Sequence, residues 1–261
     1  MSRRVKLFGV EIDALRMPEV VSQIRRQLDS PETKTEYVVT PNVDHAVILQ
    51  GNPELQAAYA DARWVLADGW PVVWASRLLR QPLPDRVAGS DLAPALFADA
   101  TEAKPLTVFL LGAAPGVAPR AATEIQKRWP HVNVCGTYSP PLGFERDDAE
   151  NERIVEMINA AAPQLLILGL GAPKQELWIA RHHDRLQVKA AVCAGATIDF
   201  LAGEKRRAPR WMQRSGIEWL HRMLVDPKRL VRRYVRDAIV FPTLVWREWL
   251  HVGPPESSTS H

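Results

Sequence analysis

Three times after residue 105 the chain runs an apolar strand into a glycine turn and then into a helix. The segments are "LTVFLLGAAPG" ahead of "VAPRAATEIQKRW", "PQLLILGLGAPKQE" running on into "LWIARHH", and "KAAVCAGATIDFLAG". Strands that alternate with helices pair in parallel, with helices covering the sheet. The strand interiors are continuously apolar, as a sheet buried on both sides requires. The expected fold class is therefore α/β: a Rossmann-like, mostly parallel sheet with helices on both faces. In such sheets ligands bind beyond the carboxyl ends of the strands. The tips "TPN", "ADG", "GAAPG", "GLGAPKQE" and "AGATID" are the places to search for a site.

The first half carries the same signals. "VKLFGVEID" reads as a strand or short hairpin, and "ALRMPEVVSQIRRQLDS" has helical spacing. "TEYVVTPN" is a β-branched strand ending in a Pro turn. Asn52-Pro53 is a cap followed by a proline at the first helical position. "RWVLA" is a further strand, which stops at Asp68-Gly69 before the helical "PVVWASRLLR". "VNVCGTYSP" and a helix near 147–161 complete the pattern.

With 261 residues, 46% hydrophobic and 24% charged, the chain has room for one large α/β domain with an appendage. The division predicted is a catalytic domain over 1–203, a basic helical appendage over 204–252 and a disordered tail over 253–261. The tail "GPPESSTSH" is too polar and too rich in Pro and Ser to pack. Cys135 and Cys193 sit in separate strand-like runs and read as inert buried thiols, which fits a reducing cytoplasm. The basic N-terminus lacks the long apolar core of a signal peptide. No apolar run reaches the roughly 18 residues of a spanning helix.

The net charge of +3 conceals an asymmetry. Residues 204–236 hold eleven Lys/Arg against three acids, +8 locally, which leaves −5 for the rest. Such a block wants an anionic partner: phosphate, anionic lipid or nucleic acid. Most of these arginines read as a solvated helix face. Arg222, Arg229 and Arg232 share one face if the helix continues through Asp226-Pro227; a break there would fold two helices toward a common point. "LVRRYVRDAIVFPTLVWREWL" mixes basic residues with Trp, Phe and Leu. It reads either as a helix lying on an anionic membrane surface or as one packed on the main domain.

Each tip has a structural and a functional reading. Gly169 and Gly171 make a βα turn, or let backbone approach an anion at a helix start, with Lys174 and Gln175 in reach of phosphate or sugar. No Gly-Lys-Ser/Thr follows, and Lys174 occupies the third glycine's place in G-x-G-x-x-G. Gly112 in "GAAPG" has the same ambiguity. "TPNVDH" is a turn with an Asp cap, or a pocket presenting Thr40, Asn42, Asp44 and His45. Asp68 is either turn chemistry or a general base whose pKa is raised by an apolar wall. No Asp-x-Asp pair or His/Cys cluster has ligand spacing, so no metal site is expected. The arginines would then neutralise any bound diphosphate.

Taken in order, "TPNVDH", "ADGWPVVWASRLL", "RVAGSDL", "VFLLGAAPG", "GLGAPKQELWI", "DFLAG", "RAPRWMQRSGIEWLHRML" and "DPKRLVRRY" resemble the WecG/TagA/CpsF family of bacterial glycosyltransferases over about residues 5–236. The resemblance implies an inverting, metal-independent transfer from a UDP-sugar to a lipid-diphosphate-linked sugar. It implies a peripheral location on the cytoplasmic face of the membrane, products in cell-surface polysaccharide (teichoic acid, common antigen, capsule or exopolysaccharide) and no cofactor, with an oligomer left open; the acidic balance of the main domain and the Trp-rich, apolar tail favour a membrane and no nucleic-acid partner. It gives Asp68 the role of catalytic base and Thr40 that of a hydroxyl holding acceptor or base. Asn42 belongs to the same pocket motif as Thr40, and Gln175 lines the sugar pocket. Arg222, Arg229 and Arg232 close over the site and stabilise the departing UDP, and Asp199 contacts the nucleoside. "ADG" stands where the family has "PDG", and "AGATIDFLAG" where it has "GGAFDFLAG". Neither change removes a polar group. The rival readings are a nucleotide-cofactor oxidoreductase, which needs the missing third glycine, and a basic nucleic-acid-binding module, which needs salt-sensitive binding.

Overall fold

The computed structural model describes residues 3–32, 34–225 and 227–251, with the side chains of residues 210, 214, 228, 229 and 251 outside the described set. The chain opens with an antiparallel hairpin, β1 (Arg4–Leu7) and β2 (Val10–Asp13), and helix α1 (Met17–Leu28). Strand β3 (Glu36–Val39) leads to α2 (Val43–Leu49) and α3 (Pro53–Asp61), and β4 (Trp64–Val65) to α4 (Trp70–Leu78) and α5 (Gly89–Ala98). Then come β5 (Leu106–Gly112), α6 (Val117–Arg128), β6 (Val132–Tyr138), α7 (Asp148–Ala161), β7 (Leu165–Gly169), α8 (Lys174–His182), β8 (Ala190–Cys193) and α9 (Thr197–Leu201). Helices α10 (Arg210–Arg214), α11 (Glu218–Val225) and α12 (Pro227–His251) follow.

The main sheet has six parallel strands in the order β4-β3-β8-β7-β5-β6. Successive strand residues point to opposite faces, and each face has its own core. Tyr37, Val39, Phe109, Leu111, Leu166 and Leu168 pack with the hairpin and with helices that include α3, α4, α7 and α8. Val38, Val108, Leu110, Leu165 and Ile167 pack with α1, α5, α6 and α9. Burial on both faces explains why the strands show no alternation of polar and apolar residues. Cys193 is buried as expected, but Cys135 is only partly so, because β6 is an edge strand.

Helix α12 packs on the first face. Leu244 is buried in its core with Phe241 and Val240 against it, and the Phe241 ring meets that of Phe8 at a tilt, with centroids 5.1 Å apart. The Phe8 amide also donates to the Glu248 carboxylate. Helix α11 ends at Val225 and α12 starts at Pro227. The Trp219 and Tyr234 rings meet edge-on at 6.1 Å, so the two helices fold back on each other. The continuous helix needed to align Arg222 with Arg229 and Arg232 does not form.

Candidate active site

A cavity of about 830 Å³ lies over the carboxyl ends of β3, β4, β7 and β8 and is roofed by α11 and α12. That is where a ligand belongs in a sheet of this topology. Of the residues singled out in the sequence, Thr40, Asn42, Asp68, Gly169, Gly171, Lys174, Gln175, Asp199 and Arg222 line it.

Asp68 is placed by backbone geometry. The β3–β4 ladder continues past the strands, with Leu66 N donating to Val39 O at 2.9 Å and Asp68 N to Pro41 O at 2.8 Å. Gly69 then turns the chain into α4 at φ +130°, a conformation that L side chains resist. The acid thus ends a strand, and the surrounding Val, Leu and Trp residues belong to that strand and the next helix. Its side chain keeps about 28% exposure. The pKa of Asp68 is raised to about 6: burial pushes it up, the Arg86 guanidinium opposes, Glu218 adds to the rise, Arg222 opposes and Asp91 adds.

The other tips are joined by one polar chain. Asn42 caps α2, accepting from His45 N at 3.3 Å and meeting His45 Nδ1 at 2.8 Å. His45 Nε2 lies 3.3 Å from Glu176 Oε1, which accepts from Gln175 Nε2 at 2.8 Å. Gln175 Oε1 in turn accepts from Gly195 N at 3.2 Å. The tips of β3, β7 and β8 are therefore locked together. Burial alone would lower the His45 pKa, but the hydrogen bond and charge of Glu176, with Asp44 and Asp68 behind them, raise it. Thr40 is buried, and its hydroxyl donates to Cys193 O at 3.4 Å.

Lys174 and Asp199 are already paired, with Glu145 at 2.7 Å and Lys205 at 2.8 Å respectively. Gly112 is not a lining residue. A Cβ there would sit 2.5 Å from the Gly169 carbonyl carbon, so this glycine permits close approach of the β5 and β7 tips, while Ala113 and Ala114 face the cavity. Arg222 lines the cavity from α11. Arg232 does not: it is exposed on α12, and the neighbouring Arg233 lines the cavity instead. The Arg229 side chain lies outside the described residues.

Sequence reasoning passed over Arg86, Glu176, Glu218 and Arg233. Arg86 stands in "RVAGSDL" and Glu218 in "GIEWLHRML", both inside quoted motifs, but a lone charge in a motif carries no partner information. Among the described residues no group of three or more His, Cys, Asp or Glu could hold a metal ion.

The site can accept a proton at Asp68, orient polar ligand groups through Asn42 and Gln175, and meet an anion with Arg222. A family model described as glycosyl transferase WecG/TagA/CpsF matches residues 5–253. The N-acetylglucosaminyldiphosphoundecaprenol N-acetyl-beta-D-mannosaminyltransferase of Staphylococcus aureus strain MRSA252 is 33% identical over 234 residues, covering 88% of this chain and 87% of that protein. The proteins of the same description from strains NCTC 8325 / PS 47 and COL have the same identity and coverage.

Proposed function

The chain belongs to the WecG/TagA/CpsF family of glycosyl transferases and is a hexosyltransferase of that type; on that premise we propose that it transfers an N-acetylmannosaminyl group from a UDP-sugar to N-acetylglucosaminyl-diphospho-undecaprenol, with inversion. The acceptor and the sugar are those in the relatives' names. In the proposed step Asp68 takes the proton from the acceptor hydroxyl as its oxygen attacks C1 of the donor. The bond from C1 to the diphosphate oxygen breaks, and UDP leaves with the electron pair. Arg222 stabilises the charge that develops on the departing diphosphate. Thr40, Asn42 and Gln175 hold acceptor and donor groups, and Asp199 serves the nucleoside.

The observation that carries this reading is that Asp68, with its pKa raised to about 6, and Arg222 line one cavity over the strand ends. A general base works best with a pKa near the operating pH, and a leaving diphosphate needs a cation. With no metal ligand cluster among the described residues, arginine is the supplier we propose.

The exposed stripe Val231, Val235, Ile239, Trp246 and Trp249 on α12 supports contact with a membrane surface. No helix among the described residues is long and apolar enough to cross a membrane. The testing experiment is a donor screen: several UDP-sugars with a short-chain lipid-diphosphate N-acetylglucosamine acceptor, following UDP release with and without chelator. UDP-N-acetylmannosamine should be turned over equally in both conditions. No release with any UDP-sugar would remove the donor class, and loss with chelator would remove the metal-free mechanism.

A further inference from the structure

Asp68 does not have its nearest cation to itself. Arg86, in the loop ahead of α5, divides its guanidinium three ways. Nη2 donates to Asp91 Oδ2 at 2.7 Å, while Nη1 stands 3.7 Å from Asp68 Oδ1 and 3.9 Å from Glu218 Oε2. The Arg86 and Glu218 side chains are 14% and 18% exposed, so solvent screens them poorly.

Asp91 sits on α5, and it holds Arg207 as well, at 2.5 Å. Its charge is part of the α/β body. Glu218 is different, because it reaches the site on α11. Among the described contacts of that helix, Trp70 Nε1 donates to Gln213 O at 3.0 Å just ahead of it, and Trp219 meets Tyr234. Among the described residues, the titratable groups facing Asp68 come from several elements, Tyr59 on α3 being one of them. Arg86 and Asp91 face it from α5 and its preceding loop, Glu218 and Arg222 from α11, Arg207 from the segment before α10, and His45 from α2.

We propose that Glu218 is a positioning residue for the base: by holding part of Arg86 it makes the proton affinity of Asp68 depend on α11 being seated over the site. The proposal rests on the reading of Asp68 as the base. With α11 seated, Arg86 is shared and Asp68 keeps a proton-accepting strength suited to neutral pH. With α11 lifted, Glu218 departs, water enters, and Arg86 is left to Asp68 and Asp91. Arg222 leaves too and acts in the opposite sense, but its influence on Asp68 is smaller than that of Glu218. The base is therefore strong when the roof is in place and weak when it is not, which suppresses activation of water by an open site.

The test is the pH dependence of kcat/KM for the wild type, Glu218→Gln, Glu218→Asp and Asp68→Asn. Removing the Glu218 charge should move the acidic limb of the profile to lower pH, on the order of half a unit to one unit. Glu218→Asp should keep the limb near its wild-type position. An unmoved limb in Glu218→Gln, with the rate reduced equally at every pH, would overturn the proposal and leave Glu218 a packing residue. If Asp68→Asn keeps both rate and limb, it is the assignment of the base that fails, and the two failures are told apart.

Discussion

His45 Nε2 lies 3.3 Å from Glu176 Oε1, and both side chains are almost wholly shielded from solvent. The first turn of α2 and the first turn of α8 therefore share one buried histidine–carboxylate pair, with Asn42 on one side of it and Gln175 on the other.

Glu176→Ala leaves His45 without its counter-ion and Gln175 without its acceptor. Removing one partner of a buried pair typically costs about 3–5 kcal/mol, and urea unfolding should show a loss of that order. The pH dependence has a definite sign. Because the folded-state pKa of His45 is raised, the stability it contributes is fully present below about pH 6.5, the unfolded value. It is lost as pH rises through the higher folded value. His45→Gln should abolish that part of the pH dependence; a stability profile that stays the same in the variant would contradict the pairing.

Arg222 and Arg232 should separate in kinetics. Losing a donor that stabilises transition-state charge costs roughly 10²–10³ in kcat, and that is expected for Arg222→Ala. Arg232→Ala should cost far less, since the residue is exposed and off the cavity wall. Equal losses in steady-state assays would mean that α12 brings Arg232 to the donor during turnover.

Asp44 ties α12 to α2. Its buried carboxylate meets Arg236 Nη2 at 2.5 Å and Arg233 Nη1 at 3.4 Å. The arginines are partly exposed, so Asp44→Ala should cost less than a fully buried pair, about 1–3 kcal/mol. Proteolysis within α12 should quicken in parallel. Unchanged stability and cleavage would show that the apolar contacts of Leu244 and Phe241 seat the helix alone.

The exposed apolar stripe on α12 predicts binding to anionic vesicles that weakens with salt and with Trp246→Ser/Trp249→Ser. Equal binding to neutral vesicles, or none to either, would remove the membrane contact.

Most of the sheet was legible in the sequence because its strands are buried on both faces and end in glycine turns. The "LILGLG" and "VFLLGAAPG" segments signal β7 and β5 without ambiguity. The short α2 was not legible: "NVDH" reads equally as a turn, and only the Asn42 cap shows that a helix follows. Asp68, Thr40, Asn42, Gln175 and Arg222 were legible as site candidates because each ends a strand or sits in an ordered motif. Arg86, Glu176 and Glu218 were not, because their meaning lies in pairing across elements distant in the chain. Helical spacing alone leaves open whether α11 and α12 are continuous or fold toward a common point; the Trp219–Tyr234 contact shows that they fold back, with Arg233 rather than Arg232 on the cavity wall.

The central claim is that Asp68 is the base. The pH profile of kcat/KM for the wild type and Asp68→Asn, with donor affinity measured separately, tests it most directly. Asp68 must be ionised to accept a proton, so wild-type activity should rise with pH through about 6. Asp68→Asn should lose about 10²-fold or more in turnover, with that rise gone and donor binding retained. Near-normal turnover in Asp68→Asn, or a rise near pH 6 that survives the substitution, would contradict the account.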